Sequence, residues 1–91
     1  MITREATLRN RLGLHARAAA RFVAVAAAYS SDIHVRYGDK RVNGKSIMGL
    51  MMLAAGDGAV LTIEAEGEDA EQAAEALAEL TASGLGEPGV E

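Results

Sequence analysis

Gly13-Leu14-His15-Ala16-Arg17 places an imidazole and a guanidinium two residues apart at the start of an alanine-rich segment. From Ala16 to Ala28 nearly every residue is a strong helix former, so His15 falls at or just before the first helical turn. None of Leu12, Gly13 or Leu14 carries a side-chain acceptor of the kind that caps a helix. The first backbone N–H groups of that helix therefore have no evident side-chain partner. Together with the positive end of the helix dipole, a flexible Gly13 and the cation of Arg17, they suit an anion. An imidazole set among them is a nucleophile able to receive a phosphoryl group and pass it on. A free imidazole titrates near about 6.5, so its neutral form is available near neutral pH. The plainer role for His15 is a helix cap or a solvated surface residue.

Three further groups invite chemistry. Gly44-Lys45-Ser46 looks like the end of a phosphate-binding loop, but that motif requires glycine at the position of Asp39, and Gly38 is one residue out of register. Ser46 reads better as the N-cap of a second helix, and alternatively as a phosphorylation site where added charge would meet the helix N–H groups. Ile47, Met48, Leu50, Met51, Met52 and Leu53 exceed what one side of a short helix can bury. Leu50 and Leu53 are expected to face the sheet, with Ile47, Met48 and Met51 nearer solvent as an adaptable docking patch. His34 shares strand parity with Asp32 and Arg36 and reads as a solvated strand residue. The two histidines and the absence of cysteine give no metal-ligand spacing, and no cofactor is implied. No carboxylate is placed to form a triad with His15, and no serine lies in a nucleophile elbow.

Ninety-one residues are read as one domain, 1–91, with one modest core. The core must come from Ala, Val, Leu, Ile and Met, because only Phe22, Tyr29 and Tyr37 are aromatic. No long apolar run marks a leader or a membrane span. Absent cysteine suits a reducing compartment, and the expected location is cytoplasmic. A formal charge of −4 argues against nonspecific nucleic-acid binding. All nine Lys and Arg residues lie between Arg4 and Lys45, whereas ten of the thirteen acids lie from Asp57 onward. The half that carries His15 is thus basic and can face a negatively charged partner.

The elements that must position these residues follow from periodicity. Thr3, Glu5 and Thr7 alternate with Arg4, Ala6 and Leu8 as a first strand, with Arg4 interrupting the inner face. Asn10 to Leu14 is the loop into the first helix. On that helix Ala19, Phe22, Val23 and Ala26 form the core stripe, and Arg17, Ala20, Arg21 and Ala24 the partner-facing one. Ser30-Ser31-Asp32 breaks the helix, and Ile33, Val35 and Tyr37 alternate with polar residues as a second strand. Gly38-Asp39 turns into a third strand, Lys40 to Asn43. A second helix runs from Ile47 to Ala55, and Ala59 to Glu66 is the fourth strand. Asp69 with Gln72 resembles a capping box for a last helix that buries Ala73, Leu77 and Leu80. Gly84 stops it, and 85–91 reads as a flexible tail. The order β-α-β-β-α-β-α implies an α+β fold, one antiparallel sheet covered by helices on a single face. A ferredoxin-like sandwich has a similar order, and periodicity does not choose between their strand orders.

Arg11-Leu12-Gly13-Leu14-His15-Ala16-Arg17 and Asn43-Gly44-Lys45-Ser46-Ile47-Met48-Gly49-Leu50-Met51 together resemble the two signature regions of the HPr family, the histidine-containing phosphocarriers of the bacterial phosphotransferase system. The resemblance runs from about Thr3 to Leu80. It implies an open-faced sandwich with strand order 1-4-2-3 and three helices on one face. It implies that His15 accepts phosphate on Nδ1 from enzyme I and donates it to an enzyme IIA-type domain. Arg17 matches the arginine that stabilises the phosphate, with the backbone of Ala16 and Arg17 beside it. Ser46 matches a serine phosphorylated by an ATP-dependent kinase in some branches, and Ala16, Ala20, Ile47, Met48 and Met51 match the partner-docking surface. A monomer is expected. Where the family usually has proline, this chain has Ala18, which resembles the nitrogen-regulatory branch or single-HPr systems more than dedicated sugar transport. Two other functions compete: an enzyme using His15 as general base, which lacks a visible acid partner, and a ferredoxin-like binding domain in which His15 is only a cap.

Overall fold

Alternation along the strands decides which side of the sheet is covered. The computed structural model describes residues 1–86 in the order β1 (Ile2–Thr7), α1 (Ala16–Ala26), β2 (Asp32–Tyr37), β3 (Lys40–Asn43), α2 (Ile47–Met52), β4 (Val60–Glu66) and α3 (Ala70–Ala82). The strands form one antiparallel sheet ordered β1-β4-β2-β3. Register sets Ile33 opposite Ala65, Val35 opposite Ile63 and Ala6 opposite Leu61, so these apolar side chains lie on one face. The three helices cover that face, and Phe22, Leu50, Leu53 and Leu77 close the core from their side. Phe22 is the single Phe of the chain and is fully buried, which contributes roughly 1.5–3 kcal/mol. Arg4 does sit on the covered side of β1, half-buried, and its guanidinium reaches out to Glu71 and Glu75 of α3.

Several local expectations give way to tertiary contacts. On α1 the fully buried residues are Ala18, Ala19, Phe22 and Ala26, while Val23 is only half-buried. Helix α2 stops at Met52 instead of Ala55, because Ala54 adopts φ +53° and turns the chain so that the Ala55 carbonyl accepts the Leu14 N–H at 3.0 Å. The capping box before α3 does not form. The Asp69 carboxylate instead accepts the N–H groups of Ser30 (2.9 Å) and Ser31 (3.0 Å) and the Ser31 hydroxyl, stapling the α1–β2 turn to the start of α3. Those three donors hold Asp69 below the usual carboxylate range, the Ser31 hydroxyl most strongly.

At the far end of α3, Leu80 is half-buried and packs against the core, while Thr81 beside it is fully buried and its hydroxyl donates to the Leu77 carbonyl at 2.8 Å. Gly84, at φ +91°, ends the helix as expected. The tail expected over 85–91 is corrected at its start: Leu85 is a core residue, and its N–H closes on the Leu80 carbonyl at 2.9 Å. Residues 87–91 of that segment lie outside the described residues. No helix among the described residues is long and apolar enough to cross a membrane.

Candidate functional site

The chain reaches His15 through a loop fastened at each step. Leu8, fully buried after β1, donates its N–H to Ala59 and accepts the Gly58 N–H, both at 2.7 Å. The turn Asn10–Gly13 then closes with the Gly13 N–H on the Asn10 carbonyl at 2.8 Å. Gly13 holds φ +73°, and a Cβ there would come within 2.6 Å of the Ala55 oxygen, so both conformation and space require glycine. The Leu14 N–H on Ala55 ties this loop to the chain just past α2. Thus the segment after the second motif buttresses the first.

His15 occupies the N-cap position of α1 with extended backbone (φ −80°, ψ 178°), and its side chain makes no cap hydrogen bond. Its carbonyl accepts the first helical bond, from Ala19 at 2.9 Å. The N–H groups of Ala16, Arg17 and Ala18 precede that bond, in the first turn, where helix geometry directs them toward the open end of the helix. They mark the positive end of an eleven-residue helix with no acidic residue in its first turn. Arg17 is exposed on the same turn. Ala18 is fully buried, and because its N–H precedes the first helical bond, alanine in the family's proline position changes no hydrogen bond.

Ser46 is the N-cap of α2: its Oγ accepts the Gly49 N–H at 3.0 Å while the side chain stays half-buried. The residue before it, Lys45, donates Nζ to the Tyr29 carbonyl at 2.8 Å, so the second motif is also tied to the chain just past the far end of α1. Helices α1 and α2 pack side by side. Leu50 and Leu53 point into the core as expected, leaving Ile47, Met48 and Met51 exposed, with Ala16 and Ala20 exposed on α1.

Met52 and Leu12 are exposed apolar residues near His15 and α2 that the expected patch does not include. Met52 is 69% exposed and Met48 73%, and their i, i+4 spacing is the signal that pairs them on one helix face. Leu12, 73% exposed in the loop before His15, carries no periodic signal. His34 lies half-buried on the open face of the sheet, opposite Glu64 in the register and in a separate element from His15. Glu64 itself is nearly buried, held by Arg41 at 2.8 Å and Arg36 at 3.5 Å, and the Arg41 hydrogen bond leads the effects that lower its pKa against the opposing cost of burial. Among the described residues no group of three His, Cys, Asp or Glu side chains is arranged to hold a metal ion.

Comparison with known proteins bears on this arrangement. The family described as the PTS HPr component phosphorylation site matches residues 2–83. The phosphocarrier protein HPr of Neisseria meningitidis serogroup A is 46% identical over 87 residues, covering 96% of this chain and 98% of that protein. The HPr of Pseudomonas aeruginosa is 53% identical over 77 residues, 84% of this chain and 86% of that one. A crystal structure of HPr from Thermoanaerobacter tengcongensis superposes with a TM-score of 0.89 at 46% identity, covering 96% of this chain and 98% of its own. A chain with this fold and these relatives is a phosphoryl-group carrier and not a catalyst with turnover of its own. It belongs to the HPr family, the phosphocarriers of the phosphotransferase system.

Proposed function

We propose that His15 is the residue that carries the phosphoryl group. The observation behind this reading is the position of His15: it is the N-cap of α1, so its imidazole leaves from the positive end of an eleven-residue helix with no acidic residue in its first turn. Phosphorylated enzyme I is the donor. The Nδ1 lone pair attacks phosphorus, the bond from phosphorus to the donor group breaks, and the electron pair leaves with the donor. The N–H groups of Ala16 and Arg17 and the Arg17 guanidinium take up the added negative charge. An enzyme IIA-type domain then attacks the same phosphorus and restores the neutral imidazole. No cofactor is needed for either step.

Docking uses Ala16 and Ala20 of α1 with Ile47, Met48 and Met51 of α2, a small apolar surface beside His15. One copy suffices, because every group named lies in one chain, so the carrier works as a monomer in the cytoplasm. Ser46 serves as cap and as regulatory phosphorylation site. Its hydroxyl, half-buried beside Ile47 with Oγ accepting the Gly49 N–H, is then the group an ATP-dependent kinase modifies. Ala18 favours a regulatory, nitrogen-linked or single-HPr role over dedicated sugar transport.

The test is incubation with enzyme I and phosphoenolpyruvate, followed by intact mass before and after acid. The wild type gains an acid-labile phosphate, His15→Ala gains none, and His34→Ala behaves as wild type. Acid-labile phosphate retained by His15→Ala would sink the acceptor assignment.

A further inference from the structure

Asn10 is 1% exposed, although Arg9, Arg11 and Leu12 around it are exposed. Its Oδ1 accepts the Leu12 N–H at 3.2 Å and its main-chain carbonyl accepts the Gly13 N–H at 2.8 Å, so both oxygens of one residue close the same turn. Its Nδ2 has no hydrogen-bond partner among the described residues. A buried amide with unmet donors is costlier than a leucine of similar volume. Packing therefore does not account for asparagine here, whereas its acceptor does. Oδ1 fixes the amide of Leu12, the carbonyl fixes Gly13, and the next two bonds, Leu14 N–H to Ala55 and His15 N–H to Gly13 at 2.9 Å, carry that order to the backbone from which the imidazole departs.

The geometry points to Asn10 as a positioning residue for the phosphoryl acceptor: it holds the turn so that the His15 ring meets the transferring group without a conformational search. The inference rests on His15 being that acceptor. Phosphoryl transfer asks little of the protein beyond positioning and charge stabilisation, so a loosened acceptor slows the transfer itself. Because Asn10 is buried, it does not touch a partner, and its loss leaves docking unchanged.

Rapid-quench transfer from phosphorylated enzyme I to the full chain, over a range of donor concentrations, separates the two effects. Asn10→Leu keeps the volume, removes the acceptor and melts no lower than wild type. Its maximal rate falls about tenfold while KM for enzyme I stays within about twofold. Asn10→Ser, which returns a neutral oxygen able to form the same kind of turn, recovers most of the rate. A wild-type rate for Asn10→Leu, a change in KM alone, or Asn10→Ser as slow as Asn10→Leu overturns the assignment. Should Asn10→Leu not fold, amide exchange in the wild type decides: the Leu12 N–H must exchange more slowly than the Arg11 N–H, and equal exchange overturns it. A wild type that takes no acid-labile phosphate on His15 defeats the acceptor reading too, which the Asn10 outcomes do not.

Discussion

Arg17 stands two residues past His15, exposed on the first turn of α1. If the His15 imidazole takes a phosphoryl group, negative charge appears at a helix end whose dipole already favours it. Arginine adds charge-assisted hydrogen bonds that a small, flexible anion could not otherwise count on. Arg17→Ala is expected to slow phosphoryl transfer by roughly one order of magnitude or more. An exposed position away from the core should shift folding stability by no more than about 0.5 kcal/mol. Stopped-flow transfer together with urea unfolding checks both halves, and an unchanged rate would show that the helix N–H groups suffice. The residues of this candidate site stand out in the sequence because their signal is local, with Gly13, His15 and Arg17 falling within five positions. The tertiary contacts of Asp69 and Glu64, away from that site, carry no such signal. The partners of Asp69, Ser30 and Ser31, are 39 and 38 residues away, and Arg41 is 23 residues from Glu64, distances over which no spacing rule operates.

At the scale of elements, α2 carries the clearest test. The inward Leu50, the inward Leu53 at its C-cap and the outward methionines follow from helical spacing, and the structure orients them as that spacing predicts. Propensity favours helix through Ala55, but α2 ends at Met52 because the bond from Leu14 to the Ala55 carbonyl takes the chain elsewhere. If the exposed face docks partners, Met48→Glu weakens partner binding by removing apolar contact and bringing a charge into the interface. At 73% exposure, Met48 can change without unfolding the domain. Ser46→Asp acts in the same direction through repulsion, so its effect shrinks as salt rises, while that of Met48→Glu persists. Aspartate also retains an oxygen acceptor at the N-cap, so α2 should survive. Partner affinity at low and high ionic strength, with a melting curve as control, distinguishes the two. Unfolding of Met48→Glu would place Met48 in the core, and unaltered affinity in both variants would move the docking surface elsewhere.

For the molecule as a whole, periodicity specified the faces of the sheet but not the order of its strands. Placing β1 beside β4 and not beside β2 depends on cross-strand register such as Arg4 opposite Ile63, a contact between the two ends of the chain. What fastens these distant parts is also what makes the fold sensitive to acid. Asp69 ties the α1–β2 turn to α3, and Glu64 ties β4 to Arg36 of β2 and Arg41 of β3 across the open face. Both carboxyls are held below their ordinary values of 3.8 and 4.5, chiefly by the Ser31 hydroxyl and by Arg41 respectively. A carboxyl whose pKa is lower in the folded state than in the unfolded chain stabilises the fold fully above the unfolded value. That contribution fades as pH falls through the folded value, because the unfolded chain then binds more protons. Stability should therefore be flat near neutrality and decline below about pH 5. Asp69→Asn and Glu64→Gln remove the ionised acceptor, so each should lower stability at pH 7 and cost progressively less as the pH drops to about 3. Exposed ion pairs such as Arg4 with Glu71 contribute little to this slope. Urea unfolding of the wild type and both variants between about pH 7 and pH 3 reads the effect directly. A difference from wild type that stays constant over that range would mean that these carboxyls stabilise the fold by shape and not by charge.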